Sequence, residues 1–154
     1  MKQIFALSAF VFLLPACGKD RFQTKPQLKL ISVSSDVVPV NGNLKVVIEY
    51  TDKEGDVSDT MYVTKQRLNA RKVRTLFDTL ALAVPEFPKT PKGDFEITLP
   101  YQGGLISAEQ PPRRNPGVEP AEYEPDTLSI KFLVKDKANN KSDSVIVNNI
   151  VVLR

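Results

Sequence analysis

The sequence predicts an all-β fold: an Ig-like or cadherin-like antiparallel sandwich of about seven short strands with one long proline-rich loop. Three observations carry the prediction. Apolar residues recur at every second position in several separate runs, the spacing of a strand with one buried face. Clusters of Gly, Asn, Asp and Pro fall between those runs, where turns are needed. Only one stretch, residues 67–84, reads equally well as helix or strand, and Pro85, Pro88 and Pro91 stop any helix there from continuing.

The chain opens on a different pattern. Lys2 precedes an apolar run from Ile4 to Leu14, and Leu14-Pro15-Ala16-Cys17 ends the run on the only cysteine. This is the tripartite layout of a secretory signal, and about eleven apolar residues are too few to cross a bilayer of roughly 30 Å. Residues 1–16 are expected to be a signal peptide, 17–26 a polar tether and 27–154 one folded domain. The four residues ending the run resemble the lipobox of bacterial lipoproteins. That resemblance implies a diacylglycerol thioether on Cys17, loss of the preceding peptide, and acylation of the new amino group with a fatty acid such as palmitate. Two or three acyl chains hold a protein stably on a membrane. Gly18 stands where Asp would signal inner-membrane retention in enterobacteria, so the resemblance implies the outer membrane, with periplasmic face or cell surface left open. Cys17-Gly18-Lys19-Asp20 is also similar, with one acidic residue instead of two, to surface-export tags of some bacteria.

The domain's elements follow in order. Leu28 to Val33 forms the first expected strand, and Pro39-Val40-Asn41-Gly42 a turn. Leu44, Val46, Ile48 and Tyr50 alternate with Lys45, Val47, Glu49 and Thr51, the clearest strand in the chain. Asp52-Lys53-Glu54-Gly55-Asp56 ends it in an acidic turn, and 60–64 continues as a strand with Met61 and Val63 on one face. Phe95 to Leu99 alternates again and stops at Pro100. Residues 101–125 hold Pro111, Pro112, Pro116, Pro120 and Pro125 and are expected to be a long surface loop. Leu128, Ile130, Phe132 and Val134 restore the alternation, Asp136-Lys137-Ala138-Asn139-Asn140 turns the chain, and 144–153 returns as a last strand. Asn148-Asn149 breaks its alternation, which predicts a bulge.

Three of these segments resemble, in order and approximate spacing, pieces of Ig-like or cadherin-like lipoproteins of Bacteroidota. Val46 to Asp56 is similar to their F-T-D-x-D-G-D turn, Lys92 to Leu99 to their K-G-E-I-x-V strand, and Phe132 to Ser142 to their closing V-x-D-R-A-G-N-x-S hairpin. Glu54 replaces an Asp of the pattern and Asn139 a Gly, which Asn suits because it tolerates the left-handed conformation. The resemblance implies an exported, lipid-anchored β-sandwich and assigns no activity.

Composition narrows the function. There is no histidine, which removes the histidine general base, the Ser-His-Asp triad and imidazole metal ligands. No phosphate-binding glycine loop or nucleophile elbow occurs. A net charge of +3 with 25% charged residues is close to that of an ordinary soluble domain and points to no nucleic-acid partner. The chain is expected not to be an enzyme. Its expected role is a binding, adhesion or accessory module of the cell envelope, held to the membrane by its lipid and meeting an envelope protein or a glycan. The alternatives are a structural subunit of an outer-membrane complex, pairing through a sheet edge, and a hydrolase working with two carboxylates.

Two constellations stand out. Asp52, Glu54 and Asp56 sit at alternate positions around Gly55, and in an Ig-like fold Asp136, with Asn139, would approach from the last hairpin. Hard carboxylate oxygens gathered in this way suit Ca²⁺, the candidate cofactor, although Asp, Glu and Gly are also ordinary turn formers. Lys65, Arg67, Arg71, Lys72 and Arg74, echoed by Arg113 and Arg114, form a basic cluster. On a strand Lys65 and Arg67 would share a face and could meet anionic glycans or headgroups, the commoner outcome being a solvated face. Tyr101 and Tyr123 flank the long loop, placed either to line a ligand edge or to cover the end of the core.

Overall fold

The computed structural model describes residues 24–76 and 78–154. The expected signal peptide, Cys17 and most of the tether lie outside those residues.

The described residues form eight strands and two sheets. One sheet holds β1 (Gln27–Val33), β3 (Asn43–Thr51) and β6 (Lys92–Pro100) in the order β1-β3-β6. The other holds β2 (Val37–Val38), β4 (Thr60–Arg67), β5 (Thr79–Ala83), β7 (Asp126–Lys135) and β8 (Val145–Val152) in the order β2-β8-β7-β4-β5. All pairings are antiparallel except β2 with β8, which is parallel. The expectation of about seven strands, all antiparallel, is corrected on both counts by β2. Two residues are too few for any periodicity to show. The stretch left open between helix and strand contains β5.

Alternation assigns one face of each strand to a shared core. Leu44, Val46 and Ile48 from β3 and Ile97 and Leu99 from β6 meet Met61, Val63, Leu128, Ile130 and Phe132 from the facing sheet. These side chains come from both sheets, which is the arrangement of a two-layer sandwich. Every strand and every buried apolar side chain of this cluster lies between Gln27 and Val152.

The irregular positions carry the residues that irregular backbone requires. Asn41 (φ 60°) turns the chain between β2 and β3, where the Gly42 N–H donates to the Pro39 carbonyl at 2.9 Å. Asn149 (φ 62°) sits in the expected bulge: Leu128 pairs with Ile150 and Ile130 with Val147, so β8 carries one residue more than β7. Asn139 (φ 68°) turns the β7–β8 hairpin. Asn reaches this left-handed region more readily than most residues with a side chain.

Register places the connections. Gln27 pairs with Thr51, Thr51 with Lys92, and Thr60 with both Ala83 and Lys135. The start of β1, the 52–59 loop, the 84–91 loop and the 136–144 hairpin therefore gather at one tip. The 68–78 and 101–125 segments lie at the other.

Candidate metal centre

The phase that buries β3 and β7 continues past their ends. Tyr50 is buried, and Asp52 two positions on is fully so; Val134 is buried, and Asp136 two positions on is 1% exposed. Strand geometry thus aims two carboxylates into the same tip from facing sheets. Gly55 then curls the chain with φ 66° and brings Asp56 back toward them. One carboxylate oxygen from each of Asp52, Asp56 and Asp136 lies within 4.8 Å of the others.

The hydrogen bonds hold this geometry without completing it. The Asp56 N–H donates to Asp52 Oδ2 at 3.2 Å, and the Lys137 N–H donates to the Asp56 carbonyl at 3.2 Å, tying the two loops together. Asp136 accepts the Asn140 N–H at 2.7 Å and the Asn140 side-chain amide at 2.8 Å. Asp52 Oδ1 and Asp56 Oδ1 are buried and accept no hydrogen bond from the described residues. The two lysines flanking Asp136 pair elsewhere, Lys135 with Asp59 at 2.8 Å and Lys137 with Glu86 at 2.7 Å.

Beneath the carboxylates lies an apolar floor of Tyr50, Val57 and Val134, with Phe87 and Phe95 against it. Burial pushes the Asp52 carboxyl above the usual carboxylate range; the charges of Asp56 and Glu54 add to the rise, and hydrogen bonds from the Asp56 and Gly55 backbone oppose it. Burial, helped by Asp52 and Asp94, likewise pushes the Tyr50 phenol up. A buried carboxylate oxygen with no donor is costly. At an effective dielectric of 20, two full charges 4.8 Å apart repel by about 3.5 kcal/mol. A divalent cation removes both costs, and oxygen-only donors on loops suit Ca²⁺ better than the smaller, rigidly octahedral Mg²⁺.

Of the residues expected here, Asp52, Asp56 and Asp136 converge. Glu54 is exposed and outside the group, because the chain has left the strand at Thr51 and the two-residue phase no longer applies. Asn139 is exposed and serves the turn; its neighbour Asn140 is the residue that orients Asp136.

The opposite end holds a second set of buried charges, and it corrects the expected basic face. Lys65 is 4% exposed, and the Arg67 side chain 5%, because they continue the inward phase of Met61 and Val63. Arg67 Nε donates to Asp126 Oδ1 at 2.8 Å and its Nη2 to Glu124 Oε1 at 2.9 Å. Asp126, fully buried, also accepts the N–H groups of Ser107 and Ala108 at 2.8 and 3.1 Å and lies 3.6 Å from Arg154 Nη1. This network straps the first part of the 101–125 loop onto the core. Tyr101 covers the core's end, its hydroxyl donating to the Leu153 carbonyl at 3.0 Å, while Tyr123 is exposed. The signal for Lys65, Arg67 and Asp126 was present in the sequence as the unbroken alternation of β4 and β7.

Comparison with protein-family models, with curated proteins and with solved structures gives no match. No helix among the described residues is long and apolar enough to cross a membrane.

Proposed function

We propose that this chain is a lipid-anchored, Ig-like β-sandwich that binds Ca²⁺ at its acidic tip and acts as a non-catalytic binding or adhesion module of the cell envelope. The observation that carries the calcium reading is the convergence of Asp52, Asp56 and Asp136 with two buried oxygens that accept no hydrogen bond from the described residues. Its counterpart at the other end makes the contrast: buried Asp126 is answered by two arginines.

Support for an Ig-like arrangement comes from the strand orders. β1-β3-β6 opposite β8-β7-β4 follows the A-B-E and G-F-C groupings of such sandwiches. Support for the address is the run from Ile4 to Leu14 ending on Cys17. β1 begins beside Thr51, so residues 24–26 enter the domain at the tip that carries the carboxylates. The absence of histidine supports a role without catalysis.

Equilibrium dialysis against ⁴⁵Ca²⁺ tests the metal reading. One ion per chain is expected, lost in Asp52→Asn and Asp56→Asn and kept in Glu54→Gln; binding that survives both Asn variants would overturn it. Labelling with a palmitate analogue tests the anchor, and incorporation that persists in Cys17→Ala would refute it.

A further inference from the structure

Buried charges in proteins are paired, and Lys65 is an exception. It is 4% exposed, and its ammonium donates to one acceptor, the Ile106 carbonyl at 3.2 Å. Among the described residues no carboxylate forms an ion pair with it. Two carboxylates attract it from beyond ion-pair distance: Asp126, which is held by Arg67 and two backbone N–H groups, and Asp78, which accepts the Thr75 hydroxyl at 3.1 Å. An ammonium has three donors, and the described residues accept from one of Lys65's.

Lys65 is the innermost residue lining an open cavity of about 420 Å³, with Thr64, Gln66, Lys72 and Thr75 around it. Arg67 also reaches this cavity, with its charge already spent on Asp126 and Glu124. Lys72 and Gln66 are exposed at the rim. The lining thus offers one buried cation, one rim cation and several neutral hydrogen-bonding groups. Asp78 is the acidic group that shares the lining.

We propose that this groove binds an oxyanion, a carboxylate or sulfate carried on a hydroxyl-rich ligand of the acidic-saccharide class. The anionic group pairs with Lys65 at the base and Lys72 at the rim, and the ligand's hydroxyls meet Gln66 and the threonines. Burial holds the Lys65 pKa below the usual lysine range, and an anion in the groove raises it again. The site lies at the end of the sandwich opposite the acidic tip and is independent of it.

The test is calorimetric titration of the full chain with a uronic-acid oligosaccharide, its neutral counterpart, a sulfated oligosaccharide and inorganic sulfate. Binding of the acidic saccharides and not of the neutral one is expected, at least tenfold weaker in Lys65→Met and weaker in Lys72→Glu. The second variant changes an exposed residue, so it remains informative if the first does not fold. Inorganic sulfate binding as tightly as the saccharides would assign the site to a free oxyanion and overturn the saccharide. No binding by any of the anions, or equal affinity in Lys72→Glu and wild type, would overturn the site itself.

Discussion

Replacing Asp52 with Asn separates a metal site from an acidic turn by the sign of two effects. In EDTA the native state holds three carboxylates within 4.8 Å, each fully charged pair costing about 3.5 kcal/mol at an effective dielectric of 20. Part of that cost is avoided because Asp52 takes up a proton more readily than an exposed carboxyl. Asn keeps an oxygen for the Asp56 N–H and removes the charge, so Asp52→Asn is expected to melt at or above the wild type in EDTA. At a calcium concentration a hundred times the dissociation constant, the wild type gains about 2.7 kcal/mol. For a domain of this size that is a rise in Tm of roughly 10 °C. The variant gains nothing, so the order of the two melting temperatures inverts between EDTA and calcium. The chain has no tryptophan, so far-UV circular dichroism is the assay. Identical wild-type curves in EDTA and millimolar calcium would refute the argument, as would a full calcium shift in the variant.

Other consequences follow from the same geometry. The Asp52 pKa is raised on folding, so its contribution to stability is complete below the unfolded value of about 3.9 and is lost as pH rises through the folded value. In EDTA the Asp52 contribution should therefore make Tm climb on acidification from neutrality, and calcium should reverse that slope; an unchanged slope in Asp52→Asn would contradict it. Gly55→Ala places a Cβ 2.6 Å from the Thr90 backbone nitrogen at φ 66°, and urea unfolding should show a loss of more than about 1 kcal/mol together with weakened calcium binding. Arg67→Met leaves Asp126 buried without its closest cation and should cost about 3–5 kcal/mol, whereas a loss under about 1 kcal/mol would mean Arg154 suffices. Lys65 has the opposite linkage: with its pKa lowered by burial, stability should rise with pH as Lys65 deprotonates in the native state, a rise absent in Lys65→Met.

The alternation of Leu44 to Tyr50 and of Leu128 to Val134 is local, written in consecutive side chains, and it determined the strands, their inward faces and the all-β class. The same phase, carried one step further, reaches Asp52, Asp126 and Asp136, and along β4 it reaches Lys65 and Arg67. Those burials were legible, yet the basic residues of β4 suggested a solvated face because charge usually ends at the surface. Turn chemistry was equally local: Asn139 stands at a left-handed position and Asn149 in a bulge, as the sequence suggested.

Only the tertiary structure decided what meets across space. Glu54 continues the spacing of Asp52 yet is exposed and outside the group, because phase holds only while the chain is extended and Gly55 redirects it toward Asp56. Val37–Val38 is a strand only because β8 lies beside it. Asn140 and not Asn139 steadies Asp136 because a turn's hydrogen bonds depend on its path. Three carboxylates gathered at one tip, and at the other a buried lysine with no carboxylate ion pair among the described residues, are properties of loops brought together by facing sheets. No periodicity along the chain encodes which loops those are.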